Sequence, residues 1–345
     1  MRTKREQTVI LTATYSAFSG IDRVVELQAR RLARAGHSVT IAAFDTDLPP
    51  PPGVTLIRLD APKHDLALRL FRLFYPFFPW YWRRHLGQLG MPTTVIAHIY
   101  PLTALAATLK RRTGARFILH DHGLPPIWVY PKLIERAYMA LFHLLAGWTY
   151  RSADEVVCVS AYLAREFARR YRMPARVELN RIDTSRFHPG LSGARVRQSL
   201  GIPKRAPVIL FIGRLAPYKG VHTLISAFHA LRTTLPDARL VVVGKATFPW
   251  YMARLRRLAQ GAVTFQGFVS DDELPAYYAA CDVYATATTW EGFNLPLAEA
   301  QACGKPVVAF DIGPHPEVVK YGTLVPIHDA EGFARALRTE LARSG

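Results

Sequence analysis

Hydrophobic positions along this chain fall in short, β-branched runs separated by longer stretches of helical period. VILTAT (9–14), SVTIAAF (38–44), TLIRLD (55–60), TTVIAHI (93–99), RFILHD (116–121) and EVVCVS (155–160) have the length and composition of strands buried on both faces. After the first run, Val24, Leu27 and Leu32 recur near a 3.6-residue period, and the segment closes at Gly36. The alternation pauses where Pro189, Gly190, Gly193, Gly201 and Pro203 cluster. It resumes with VILFIG (208–213), ARLVVVG (238–244), VTFQGF (263–268), DVYATAT (282–288) and PVVAFD (306–311). The pattern predicts an α/β protein of two Rossmann-like, doubly wound domains, residues 1–185 and 207–345, with a linker over 186–206. Ligands of such folds sit beyond the carboxyl ends of the strands, here in a cleft between facing domains.

Composition narrows the class. Half of the 345 residues are hydrophobic and a fifth are charged, which excludes a disordered chain. The three cysteines, Cys158, Cys281 and Cys303, are too few for a disulfide framework and too scattered for a metal knuckle, so a reducing, cytoplasmic setting is expected. No tight His/Asp/Glu ligand cluster stands out, and no bound metal is expected. The apolar run after the basic MRTKREQ is short and carries hydroxyls, so it reads as a strand and not as a secretory leader. No stretch of about 18 apolar residues is present to span a bilayer. The net charge of +18 is uneven: residues 1–190 hold 27 Lys/Arg against 14 Asp/Glu, and the remainder 17 against 12. That excess fits attraction to a polyanion, or only a well-solvated surface.

The densest chemistry lies in EGFNLPLAEAQACGKPVVAFD (291–311), where Glu291 and Glu299 straddle a turn and a helix start. A helix beginning near Asn294 or Leu295 offers free amides and a positive dipole end to a phosphate. This block resembles the retaining family 4 glycosyltransferases. So do CGKPVVAFDIGPHPEVV (303–319), GRLAPYKG (213–220), RSADEVVCVS (151–160) and AGHSVTIAA (35–43), in the family's order. The resemblance runs from about residue 8 to 343 and implies the GT-B fold, a nucleotide-sugar donor as substrate and no cofactor. It implies that Arg214 and Lys219 grip the donor diphosphate, a task suited to fixed cations without a metal. Glu299 then binds the ribose, Glu291 lies near the donor sugar, and the amides of Phe293, Asn294 and Leu295 reach sugar and phosphate. Gly20, in SAFSGIDR (16–23), stands where the family has its glycine-rich turn, with the usual Gly pair reduced to Ser19-Gly20. In RFILHDHG (116–123), ungapped alignment puts the active-site histidine on His122, with His120 as the alternative.

Two departures stand out. Arg181 replaces the family's Gly in NRID (180–183), and the chain stops at Gly345, so a terminal helix crossing back to the first domain is expected to be short or absent. Residues 66–86 and 127–150 mix aromatics, leucines and basic residues. They suit either an amphipathic surface at an anionic membrane, with a lipid-linked or glycan acceptor, or ordinary packing beneath the first sheet. Nucleic acid is not expected as a partner. The competing readings are a nucleotide-sugar epimerase of the same fold and a non-catalytic polyanion- or membrane-binding protein.

Overall fold

The computed structural model describes residues 6–16 and 20–344. The chain divides into two compact units between Arg181 and Ile182. In the first unit, β1 (Gln7–Tyr15), β2 (Ser38–Thr46), β3 (Val54–Arg58), β4 (Thr94–Ala97), β5 (Arg116–Asp121), β6 (Glu155–Cys158) and β7 (Arg176–Val177) form one sheet. Its order is β3-β2-β1-β4-β5-β6-β7 and every pairing is parallel. In the second unit, β8 (Val208–Ile212), β9 (Arg239–Val243), β10 (Val263–Gly267), β11 (Val283–Thr286), β12 (Val307–Phe310) and β13 (Gly322–Val325) follow the order β10-β9-β8-β11-β12-β13. All of these pairings are parallel as well. The strand order reverses beside β1 and beside β8, which opens a crevice at the carboxyl ends of β1/β4 and of β8/β11.

Burial explains why continuous apolar runs became strands. All five residues of β8 are buried, and helices on one face of the second sheet carry Val221, Leu224, Phe228, Tyr251, Leu255, Phe333 and Leu337 into one core with Ile209 and Phe211. The final helix, Ala330–Ser344, buries Phe333, Leu337 and Leu341 in that core. Parallel strands also need their ends closed. Gly220 does this at φ +69°, with a Cβ position only 1.9 Å from the Ala287 carbonyl oxygen.

Three expectations change. The buried stripe of the first helix, Gly20–Arg34, runs through Asp22, Val25 and Ala29, not through Val24 and Leu27. The stretch read as a linker folds with the second unit. Phe187 is buried against Tyr278, and the Arg197 guanidinium reaches Ala280 O at 2.8 Å, Ala206 O at 2.9 Å and Asp282 Oδ2 at 2.8 Å. Finally, β7 and β13 add an edge strand to each sheet beyond the apolar runs, one a two-residue exposed edge and the other beginning with an exposed glycine.

Candidate active site

In the second unit the GRLAPYKG segment and the 291–299 block meet. The segment leaves β8, turns through Pro217–Lys219 and is pinned to the loop after β11: Thr289 N donates to Tyr218 O at 2.8 Å, and the Thr288 and Thr289 hydroxyls reach the same oxygen at 3.2 Å. This brings Lys219 Nζ to 2.5 Å from Glu291 Oε1, a pair whose side chains are only 16% and 11% exposed. Arg214 is exposed and donates through Nη2 to the Tyr218 hydroxyl at 2.8 Å. The helix after Glu291 spans Leu295–Ala302. Its N-cap is Asn294, held at φ +74° by a hydrogen bond from Nδ2 to His315 Nε2 at 3.0 Å. His315 Nδ1 donates to Phe310 O at 2.6 Å, so Nε2 is the accepting nitrogen. Burial lowers the pKa of this imidazole, which lies within the field of both Glu291 and Lys219. Phe293 is buried, and the amides of Asn294 and Leu295 precede the bond from Leu297 N to Asn294 O.

Glu299 is 2% exposed and accepts from the Tyr278 hydroxyl at 2.7 Å. Its carboxylate is thus embedded beside the helix start and does not face open solvent. The structure therefore joins Lys219, Glu291, Asn294 and, through its loop, Arg214, while Glu299 sits one layer deeper. Sequence reasoning passed over His315, Tyr218 and Tyr278. His315 lies within the quoted GPHPEVV run, yet nothing in that run reveals that it fixes the N-cap.

In the first unit, Gly20 opens its helix, while Ala17, Phe18 and Ser19 lie outside the described residues. Two residues on, Asp22 is fully buried. Its carboxylate accepts from Thr14 Oγ1 at 3.0 and 3.1 Å, from Ser16 N at 2.8 Å and from Ser16 Oγ at 3.1 Å, which ties the end of β1 to the helix. Burial outweighs those donors and pushes its pKa up to about 6. His122 follows β5 and stands 2.9 Å, through Nε2, from His98 Nδ1; His98 Nε2 is 2.8 Å from Gln28 Oε1. His120 lies beside both, 5% exposed.

The expectation that no ligand cluster exists is overturned here, since one ring nitrogen of each of His98, His120 and His122 lies within 4.8 Å of the others. The sequence hid this because His98 comes from the neighbouring strand. Burial holds all three imidazoles below their ordinary pKa, His120 at about 4, and repulsion from His120 lowers the other two further. The same unit also carries an Asp-x-Asp, with Asp45 in β2 and Asp47 just beyond it, both exposed.

Comparison with known proteins identifies the family. Residues 18–186 match the Glycosyltransferase Family 4 domain, and residues 194–343 match Glycosyl transferases group 1. A GDP-mannose-dependent alpha-(1-6)-phosphatidylinositol monomannoside mannosyltransferase of Mycolicibacterium smegmatis is 34% identical over 75% of this chain and 70% of its own length. A D-inositol 3-phosphate glycosyltransferase of Acidothermus cellulolyticus is 35% identical over 94% of this chain and 80% of its own. Among solved structures, a sucrose-phosphate synthase from Thermosynechococcus elongatus superposes with a TM-score of 0.81 at 22% identity, covering 99% of this chain and 90% of that one. WaaG, a glycosyltransferase involved in lipopolysaccharide biosynthesis, gives 0.74 at 18%, covering 98% and 91%. The two parallel-sheet units are those of the GT-B fold, and the chain belongs to the group 1, family 4 glycosyltransferases.

Proposed function

We propose that this glycosyltransferase moves a hexosyl group from a nucleoside diphosphate sugar to a hydroxyl of a lipid-linked or glycan acceptor, with retention of configuration. The observation that carries the reading is the near-buried Lys219–Glu291 pair at the start of the Leu295–Ala302 helix, with Arg214 on the same loop. A diphosphate set against these cations and the helix amides meets fixed positive charge where negative charge grows as the sugar leaves. Glu291 keeps Lys219 in place and stands beside the sugar; it is not assigned as a nucleophile. The leaving phosphate takes the acceptor proton in a front-face attack. With two fixed cations supplying the charge, the departing diphosphate needs no divalent metal, and turnover lost in chelator and restored by magnesium or manganese would contradict this. The mannosyl and inositol relatives make GDP-mannose and phosphoinositol-type acceptors the first members of a test panel. Incubation with each nucleotide sugar, alone and with acceptor, should release the matching nucleoside diphosphate. A panel with no diphosphate release from any donor overturns the reading.

The acceptor side is proposed to face an anionic membrane. No helix among the described residues is long and apolar enough to cross one. The first unit nevertheless exposes Leu66, Leu70, Phe74, Phe77, Trp80 and Trp148, the last stacked on Phe77 at 6.0 Å, beside exposed Arg83 and Arg84. Other aromatics of the segment pack inward: Phe71 and Tyr75 are buried, and Phe78 stacks on Phe71.

A further inference from the structure

Three imidazoles meet at the carboxyl ends of β4 and β5, and the transfer reaction calls on only one. His98 directly follows β4, its amide donating to Leu11 O at 2.9 Å. His120 and His122 stand two apart at the end of β5 and share a face. Ala97 pairs with Leu119 across the sheet, which brings His98 beside both. The donor atoms are set by hydrogen bonding. Gln28 Oε1, 2.8 Å from His98 Nε2, can only accept, so that nitrogen carries the proton and His98 Nδ1 presents a lone pair toward His122 Nε2 at 2.9 Å. His120 is 5% exposed, and neither of its ring nitrogens has a hydrogen-bond partner among the described residues. Buried polar groups are almost always hydrogen-bonded or ligated, so a buried imidazole with two idle nitrogens calls for a ligand.

We propose that His98 Nδ1, His122 Nε2 and one ring nitrogen of His120 bind a single divalent transition-metal ion of the zinc class. The donor set is three neutral imidazoles with no carboxylate, which suits zinc, cobalt, nickel or copper and not magnesium or calcium. Three histidines leave a fourth position open, the arrangement that zinc uses where it holds water. Tetrahedral ligation at about 2.0–2.1 Å needs the nitrogens about 3.3 Å apart. His98 Nδ1 and His122 Nε2 are 2.9 Å apart and one nitrogen of each of the three rings already lies within 4.8 Å of the others, so rotation of the rings closes the gap. Gln28 acts from behind as a positioning residue, fixing the tautomer and the plane of His98. On binding, the proton of His122 Nε2 is replaced by the metal and moves to Nδ1, with no net release. Burial favours the unprotonated rings, which leaves the lone pairs available near neutral pH. The site stands on the cluster alone and survives if the transfer reaction is assigned wrongly, because its readout is metal binding.

The test is titration of chelator-stripped protein with Co²⁺, followed by Zn²⁺. One equivalent of Co²⁺ should give the visible absorption of a low-coordinate nitrogen site, and Zn²⁺ should abolish it. H98Q and H120Q should each weaken binding by roughly a hundredfold, while H328Q, on an exposed loop of the other unit, should bind as the parent does. Gln28→Leu should weaken it by about 10–100-fold, and Gln28→Glu, which still accepts the His98 proton, should restore it. Should the ligand variants lose their fold, X-ray absorption of the parent loaded with one Zn²⁺ decides: three imidazoles in the shell support the site. An aquo-like shell, no one-equivalent complex, or unchanged binding by folded H98Q and H120Q overturns it.

Discussion

Arg214 and Lys219 carry the same charge on the same loop, yet their surroundings make them unequal probes. Arg214 is exposed and, among the described residues, donates to the Tyr218 hydroxyl, so Arg214→Ala should leave stability within about 0.5 kcal/mol. Its donor turnover should fall by about 10²–10³-fold, the usual cost of one fixed electrostatic stabiliser. Turnover within threefold of the parent, in a folded variant, removes Arg214 from the diphosphate site. Lys219 is different because its partner, Glu291, is 11% exposed. Lys219→Ala strands a nearly buried carboxylate, and breaking such a pair costs about 3–5 kcal/mol when fully buried. A lowered melting transition is therefore expected with the lost turnover, and the double variant K219M/E291Q should recover the transition without recovering the rate. If the double variant melts no higher than Lys219→Ala, the pair is not what holds the loop.

At the scale of elements, the site depends on a turn that only glycine fits. Gly220 joins Pro217–Lys219 to the Val221–Arg232 helix at φ +69°, and a Cβ there would meet the Ala287 carbonyl oxygen at 1.9 Å. Gly220→Ala combines a left-handed backbone cost of about 1–2 kcal/mol with backbone displacement, so the second unit should lose more than about 2 kcal/mol in denaturant titration. A variant as stable as the parent would show that the loop has another way to close. The turn illustrates what the sequence makes legible. Continuous apolar runs such as VILFI declare buried parallel strands, and GRLAPYKG marks its loop, because both are local patterns. Contacts between distant segments carry no such mark. The Phe187 and Arg197 anchors turn a Gly/Pro-rich stretch from an expected linker into packed structure. Asp22 likewise takes a core position that apolar periodicity assigns to Val24 and Leu27, since Thr14 and Ser16 satisfy its carboxylate. His98 joins the β5 histidines only through the pairing of β4 with β5, so the cluster could not be read from spacing.

At the scale of the whole molecule, the first unit gathers the larger share of the groups that answer to pH, with His222 and His315 in the second. His85, His98, His120, His122 and His143 all have pKa values lowered by burial, so the unfolded chain binds protons that the folded chain refuses. Their contribution is present above about 6.5 and is lost as pH falls below it. Asp22 and Asp121, raised to about 6, act oppositely and gain stability over the same fall, but they are two against five. The melting midpoint of the first unit should therefore drop from pH 7 to pH 5, and a midpoint that climbs over that range contradicts the assignment of neutral buried imidazoles. The surface prediction turns on which aromatics face outward. Phe77, Trp80 and Trp148 are 52%, 63% and 58% exposed, so replacing all three with Ser should leave the melting transition nearly unchanged, unlike replacement of Phe71 or Tyr75 in the core. The parent should bind vesicles containing anionic lipid, leave neutral ones, and release as salt shortens the Debye length below about 8 Å. The triple variant should bind about tenfold more weakly, since apolar area leaves the lipid boundary while the arginines remain. Equal vesicle binding by parent and triple variant, both folded, would place the membrane contact elsewhere on the chain.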